Sequence, residues 1–96
     1  MLSDNEVIKR IEKSKKQIQP YVAEGMIFYD DLCDILKITI DGDKVAGAIN
    51  KVFDIEKVMA YETSINGIWA EYGIILINEE LFEYKDDLIK EHYMNK

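Results

Sequence analysis

The chain of 96 residues has the size of one small domain, because two domains of half that length would each lack a hydrophobic core. Apolar residues make up 48% of it and charged residues 32%, which excludes a disordered chain. Twelve Lys and Arg against nineteen Asp and Glu leave a net charge of -7. This charge argues against attraction of the whole surface to nucleic acid or an anionic membrane. We expect a single domain over residues 1–96.

The pattern of cysteine and apolar residues predicts a cytoplasmic protein. Cys33 is the one cysteine, so no internal disulfide forms, and the compartment is expected to be reducing. No stretch approaches the roughly 18 consecutive apolar residues of a membrane helix. The first residues reach Asp4 and Glu6 without the apolar core of a signal peptide.

The first segment predicts an amphipathic helix that begins after Ser3. Ser3 and Glu6 have the spacing of a capping box, in which each side chain satisfies a backbone N–H of the first turn. Apolar residues then recur at helical spacing as far as Ile18. We expect the regular helix to end near Ile18, because Pro20 disfavours helical angles in the residue before it. A further short turn would end at Gly25.

The middle of the chain predicts a short strand at residues 26–28 and then two short helices. Asp30 or Asp31 is the expected cap of the first helix, and Asp41 or Asp43 that of the second, over residues 44–54. The apolar faces of the two helices comprise Leu32, Ile35 and Leu36, and Val45, Ala48, Ile49, Val52 and Phe53. Two short helices joined by a Gly-containing turn have the outline of a helix-turn-helix.

A β-hairpin is expected next, because Asn66-Gly67 between two apolar runs favours a two-residue turn. That turn would place Tyr61 opposite Tyr72 and Glu62 opposite Glu71. The like-charge pair is unfavourable. It leaves two alternatives, a longer loop or a continuation of the preceding helix to about Tyr61.

The last segment predicts a helix that begins after Asn78 and covers the preceding strand. Residues 74–77 are apolar without alternation, so both faces of this strand should be buried. The expected fold is therefore α+β and winged helix-turn-helix-like. Its element order is helix, short strand, helix, helix, β-hairpin and C-terminal helix.

Residues 27–33, 46–49 and 66–79 together resemble a group of small winged-helix proteins of bacteria, phages and mobile elements. The resemblance rests on core positions and one turn, over about residues 26–79. It implies the winged-helix fold and implies no catalytic residue.

The acidic charge suggests an interaction module that binds a basic protein partner. Residues 1–25 carry a net charge of +1 and residues 26–96 a net charge of -8. Carboxylates can imitate phosphates toward a protein that handles nucleic acid. The candidate contact residues are five aspartates and one aromatic anchor at the hairpin: Asp30, Asp31, Asp34, Asp41, Asp43 and Trp69. A solvated helix face is the alternative interpretation of the aspartates.

A second hypothesis is a dimeric transcription regulator that binds DNA. The helix at 44–54 would read bases, and the first helix would contact phosphates. The residues for these two roles are Lys44, Asn50 and Lys51, and Lys9, Arg10, Lys13, Lys15 and Lys16. The flanking aspartates oppose this hypothesis, because each approaches phosphates at a cost of about 1 kcal/mol.

Catalytic and metal functions have less support in the sequence. His92, the one histidine, is close to the last residue, where we expect fraying rather than a catalytic pair. Cys33 is expected to be a buried structural thiol. Asp41-Gly42-Asp43 lacks the remaining ligands of a calcium loop. We expect no enzyme activity, no cofactor and no metal ion.

Overall fold

The computed structural model describes residues 2–63 and 72–94. Helices α1 and α2 precede the first strand, and two further helices separate it from a pair of strands. A 3₁₀ helix leads into the last α-helix. The elements are α1 Asp4–Lys13, α2 Lys15–Glu24, β1 Met26–Phe28, α3 Tyr29–Leu36, α4 Gly42–Phe53, β2 Met59–Glu62, β3 Gly73–Leu76, the 3₁₀ helix Glu79–Tyr84 and α5 Lys85–Met94.

The three strands of the described chain form one antiparallel sheet in the order β1-β3-β2. The central strand β3 is buried along its whole length. Ile75 points into a core with residues of α1, α3 and α4, whereas Ile74 and Leu76 pack with Phe28 and Ile89 of α5. Both faces of β3 are therefore covered, as its unbroken apolar run predicts. The α+β class is also confirmed.

Tyr29 connects four elements of the fold. Its side chain is 3% exposed, and its ring lies against Gly73 of β3 while its hydroxyl lies against Gly42 of α4. A methyl group at either glycine would overlap Tyr29. The hydroxyl donates a hydrogen bond to Glu62 Oε1 of β2 at 3.1 Å. Burial and the nearby Glu62 carboxylate raise the pKa of Tyr29, so the phenol stays neutral.

The N-terminal helix divides at a different residue from the one predicted. The capping box of Ser3 and Glu6 is present. The expected end near Ile18 is wrong, because α1 ends at Lys13, and α2 continues through Pro20 to Gly25. Pro20 is exposed, so the carbonyl that loses its intrahelical partner lies on the solvent side. Proline therefore costs this helix less than in a buried position.

The predicted cap of α4 is confirmed, and the predicted cap of α3 is wrong. Asp41 caps α4 and accepts a hydrogen bond from the Lys44 N–H at 3.4 Å. The expected cap of α3 by Asp30 or Asp31 is wrong, because the helix begins at Tyr29 and its N-cap position is occupied by Phe28. Burial of Phe28 and Tyr29 fixes this start instead.

The hairpin register differs by two residues from the prediction. Glu62 pairs with Gly73 and Tyr61 with Ile74, so the expected pairing of Tyr61 with Tyr72 is wrong. Because residues 59–62 form β2, the alternative in which the helix continues to Tyr61 is also wrong. The shift places a glycine opposite Glu62, where Tyr29 needs space. The predicted turn at Asn66-Gly67 lies outside the described residues.

The last segment agrees with the sequence in its start and its position. Asn78 accepts a hydrogen bond from the Glu80 N–H at 3.0 Å and begins the 3₁₀ helix. Ile89 of α5 is fully buried against β3. In the described parts of the chain, no helix has both the length and the apolar character needed to cross a membrane.

We expect Gly73→Ala to lower the free energy of unfolding by about 1–3 kcal/mol, because the added methyl group overlaps the Tyr29 ring. Gly47→Ala is the matched control, since no atom lies within 4 Å of a methyl group there. This control should raise stability by about 0.5–1 kcal/mol, since alanine favours the helix. Urea unfolding measures both changes. Equal stability of the parent and Gly73→Ala would contradict the proposed role of the Tyr29 contact.

Candidate functional site

The five predicted aspartates belong to the helix pair α3–α4 and occupy two places on it. Asp30 and Asp31 lie in the first turn of α3, where both are partly buried, and Asp34 follows on the exposed side. Asp41 and Asp43 lie at the start of α4 and are exposed. We call the five residues together the acidic helix pair.

The start of α3 contacts the end of α5. His92 Nε2 lies 3.0 Å from both carboxylate oxygens of Asp30. The Asp30 carboxylate also accepts a hydrogen bond from the Asp31 N–H at 2.8 Å. The charges of Asp31, Glu24 and Asp30, together with some burial, raise the pKa of Tyr21 of the neighbouring helix α2. A negative field therefore surrounds the first turn of α3.

His92 packs against the rest of the fold, contrary to the fraying that its position near the last residue predicts. Its ring stacks on Phe28 with the centroids 3.7 Å apart and the planes 3° from parallel. The neighbouring Tyr93 hydroxyl donates to the Gly73 carbonyl at 2.8 Å. Both contacts hold this end of α5 in place, so the expected fraying at His92 is wrong. Asp30 and His92 are 62 residues apart, and no local pattern reveals that they meet.

The start of α4 borders an open cavity of about 650 Å³. Its walls include apolar side chains at the start of α1 and in the connection between α3 and α4. Its polar wall residues include Asp41, Lys44 and Glu62. The charge of Asp43 contributes to the raised pKa of Tyr29, after burial and the Glu62 carboxylate. Asp41 therefore lies beside Glu62 at this cavity, while Asp30 contacts His92 of α5.

Two of the three residues that would read DNA on α4, Lys44 and Asn50, form hydrogen bonds within the chain. Lys44 Nζ donates to the Leu2 carbonyl at 2.9 Å. The Asn50 side-chain amide donates to the carbonyls of Ile55 and Glu56 in the segment that follows α4. Of the three predicted readers, Lys51 is exposed on the helix with no hydrogen bond among the described residues.

The basic residues of α1 and α2 are mostly exposed, with two internal contacts. Arg10 Nη1 donates to the Leu36 carbonyl at the end of α3, at 3.0 Å. Lys15 Nζ lies 5.5 Å from the centroid of the Phe53 ring, within the range of a cation–π interaction. The remaining predicted phosphate contacts are exposed: Lys9, Lys13 and Lys16.

Few of the surface carboxylates are neutralised by lysine. Between residues that the structure describes, the lysine–carboxylate ion pair is Lys57–Glu79, with a separation of 2.9 Å. Residues 29–54 contain six aspartates and three lysines, and one of those lysines, Lys44, is engaged with a backbone carbonyl. The helix pair therefore presents negative charge to solvent.

Two further sequence expectations concern single residues. Cys33 is exposed, so its assignment as a buried thiol is wrong; the apolar face of α3 comprises Leu32, Ile35 and Leu36 instead. Trp69, the predicted aromatic anchor, lies outside the described residues. Its role stays a prediction.

Asn50→Ala should lower the free energy of unfolding by about 1 kcal/mol, because the two carbonyls after α4 lose their donor. Lys51→Ala on the same helix should change it by less than about 0.5 kcal/mol, since that side chain is exposed. Chemical denaturation compares the two variants. If both leave stability unchanged, Asn50 is not a structural residue.

Stability should fall as the pH rises from about 10 to 12, since burial raises the pKa of Tyr93 to about 12. The unfolded chain ionises this phenol near pH 10, so stability present below that pH is lost as the pH increases. Tyr93→Phe should show a smaller loss over the same interval, although its stability at pH 7 is about 1 kcal/mol lower. Urea unfolding at several pH values measures the difference. An identical pH dependence in the variant would contradict the burial of this hydroxyl.

Comparison of the chain with protein-family models, with curated proteins and with solved structures found no match.

Proposed function

We propose that this protein is a winged-helix interaction module that binds a basic protein partner through the acidic helix pair, by binding alone and without catalysis. The observation that carries the proposal is the contrast between two sets of side chains. Lys44 and Asn50, two of the three residues of α4 that would read DNA, form hydrogen bonds within the chain, whereas the carboxylates Asp34, Asp41 and Asp43 are exposed.

The arrangement of the elements supports the winged-helix part of the proposal. A short strand precedes two helices, and an antiparallel strand pair follows them, with β3 between β1 and β2. In this interpretation α3 and α4 are the helix-turn-helix, and the connection from β2 to β3 is the wing. Residues 64–71 of that connection include Trp69.

The chemistry of the surface supports a basic partner. An exposed carboxylate attracts a lysine or arginine across a wet interface, and each such pair contributes about 0.2–1 kcal/mol. Several such pairs accelerate association and exclude acidic partners. The natural partner is therefore a protein with a basic, nucleic-acid-binding surface, to which the carboxylates present themselves in place of phosphates. Trp69 would supply an aromatic contact at the edge of that interface.

A dimeric DNA-binding regulator is the second candidate, and the exposed lysines of α1 and α2 favour it. In this candidate Lys44, Asn50 and Lys51 read bases, and the basic residues of α1 and α2 contact the phosphate backbone: Lys9, Arg10, Lys13, Lys15 and Lys16. Base reading is the weaker part, because Lys44 and Asn50 would have to leave their internal partners. Retention of duplex DNA at about 50 mM salt distinguishes this candidate from the first.

We expect Asp34→Asn with Asp43→Asn to weaken capture of the basic partner by about two- to thirtyfold, because two exposed charges are lost. The immobilised protein is exposed to a cell extract at about 50 mM salt, and bound proteins are identified by mass spectrometry. Binding should be abolished at about 500 mM salt, where the charges are screened. Asp30 and Asp41 are left unchanged, since both have structural contacts.

The charge-matched control is Glu83→Gln with Asp87→Asn, two exposed residues near or on α5. This control should capture the same protein as the parent. Equal capture by all three proteins, or capture that persists at high salt, would contradict binding through the acidic helix pair. Retention of duplex DNA that Lys51→Ala abolishes would support the second candidate instead.

A further inference from the structure

A group of three potential metal ligands lies at the contact between α3 and α5. Asp30, Asp31 and His92 each offer one donor atom, and these atoms all lie within 4.8 Å of one another. All three side chains are partly buried, and His92 lies about 60 residues along the chain from the adjacent pair Asp30 and Asp31. Their meeting is therefore a property of the folded chain alone.

The separations fit ligands that share one ion. Donor atoms bound to one Zn²⁺ at about 2.0–2.2 Å lie about 3–3.5 Å apart. His92 Nε2 already lies 3.0 Å from each oxygen of Asp30. The donor oxygen of Asp31 lies within 4.8 Å of the other two donor atoms.

Two of the three ligands are oriented by contacts that do not need the ion. The Phe28 ring, 8% exposed, stacks on the imidazole and fixes its plane. Tyr93 approaches the same ring edge-on, with centroids 4.8 Å apart. The Asp31 N–H donates to Asp30 Oδ1 and fixes that carboxylate. Such outer contacts are a regular feature of metal sites, because they set the direction of the ligand lone pairs.

We propose that Asp30, Asp31 and His92 form a binding site for one Zn²⁺ ion, which links the start of α3 to the end of α5. One imidazole and two carboxylates suit a borderline divalent ion of the first transition row better than Mg²⁺, which prefers six oxygen ligands. Three protein ligands leave the fourth tetrahedral position to water. The proposal stands independently of the proposed function.

Zinc would change the surface as well as the packing. The ion adds two positive charges beside two carboxylates, so the negative field at the first turn of α3 would be cancelled locally. It would also replace the His92–Asp30 contact between the two helices by a link through the ion.

Isothermal titration of the tag-free, EDTA-treated full chain with ZnCl₂ tests the site. We expect one ion per chain in the parent. His92→Gln and Asp31→Asn should each weaken the affinity at least about tenfold, since each removes one ligand. Asp87→Asn is the matched control on α5, exposed and outside the ligand group, and should bind within about twofold of the parent.

A second measurement protects the test against a variant that fails to fold. The chain contains one histidine, so the side-chain nitrogen signals of His92 in an NMR spectrum are unambiguous. Zn²⁺ should shift the Nε2 signal of the parent, and 5 mM Mg²⁺ should not. No binding at 100 µM Zn²⁺, an unshifted Nε2 signal, or parent affinity in His92→Gln would overturn the proposal.

Discussion

The burial of Tyr29 between two glycines is the constraint on which the rest of the fold depends. Its ring and hydroxyl fill the space that side chains at Gly42 and Gly73 would otherwise occupy. This contact brings the start of α4 and the central strand to the start of α3, and Glu62 completes the hydrogen bond. A phenol in this position contributes a large apolar area and still satisfies its polar end. The relative placement of α3, α4 and the sheet follows from it.

The same constraint determines which surfaces are available for function. Because Tyr29 begins α3, the next two residues, Asp30 and Asp31, are directed toward the end of α5 and meet His92. At the other end of the helix pair, α4 is tied to the N-terminal segment and to its own following loop through Lys44 and Asn50. The fold therefore engages two of the three residues predicted to read bases and leaves carboxylates at the surface.

Local patterns predicted most of the elements and part of their packing. The capping box at Ser3, the Asp41 and Asn78 caps and the two buried faces of β3 are confirmed, because each depends on neighbouring residues. The hairpin register and the start of α3 were wrong, because both are set by Tyr29, whose partners are distant in the chain. The His92–Asp30 contact was not predicted, because these two residues are also distant in the chain. Cys33 was expected to be buried because its neighbour Leu32 is apolar, but its side chain is exposed.

The most direct measurement is a map of backbone amide shifts in ¹⁵N-labelled protein, titrated separately with a lysine-rich peptide and with duplex DNA at about 50 mM salt. We expect saturable shifts in residues 30–34 and at Asp43 with the peptide, and no shift on the exposed side of α4 with DNA. Saturable shifts at Gly47 and Lys51 with DNA, together with an unchanged α3 in the peptide titration, would contradict binding through the acidic helix pair.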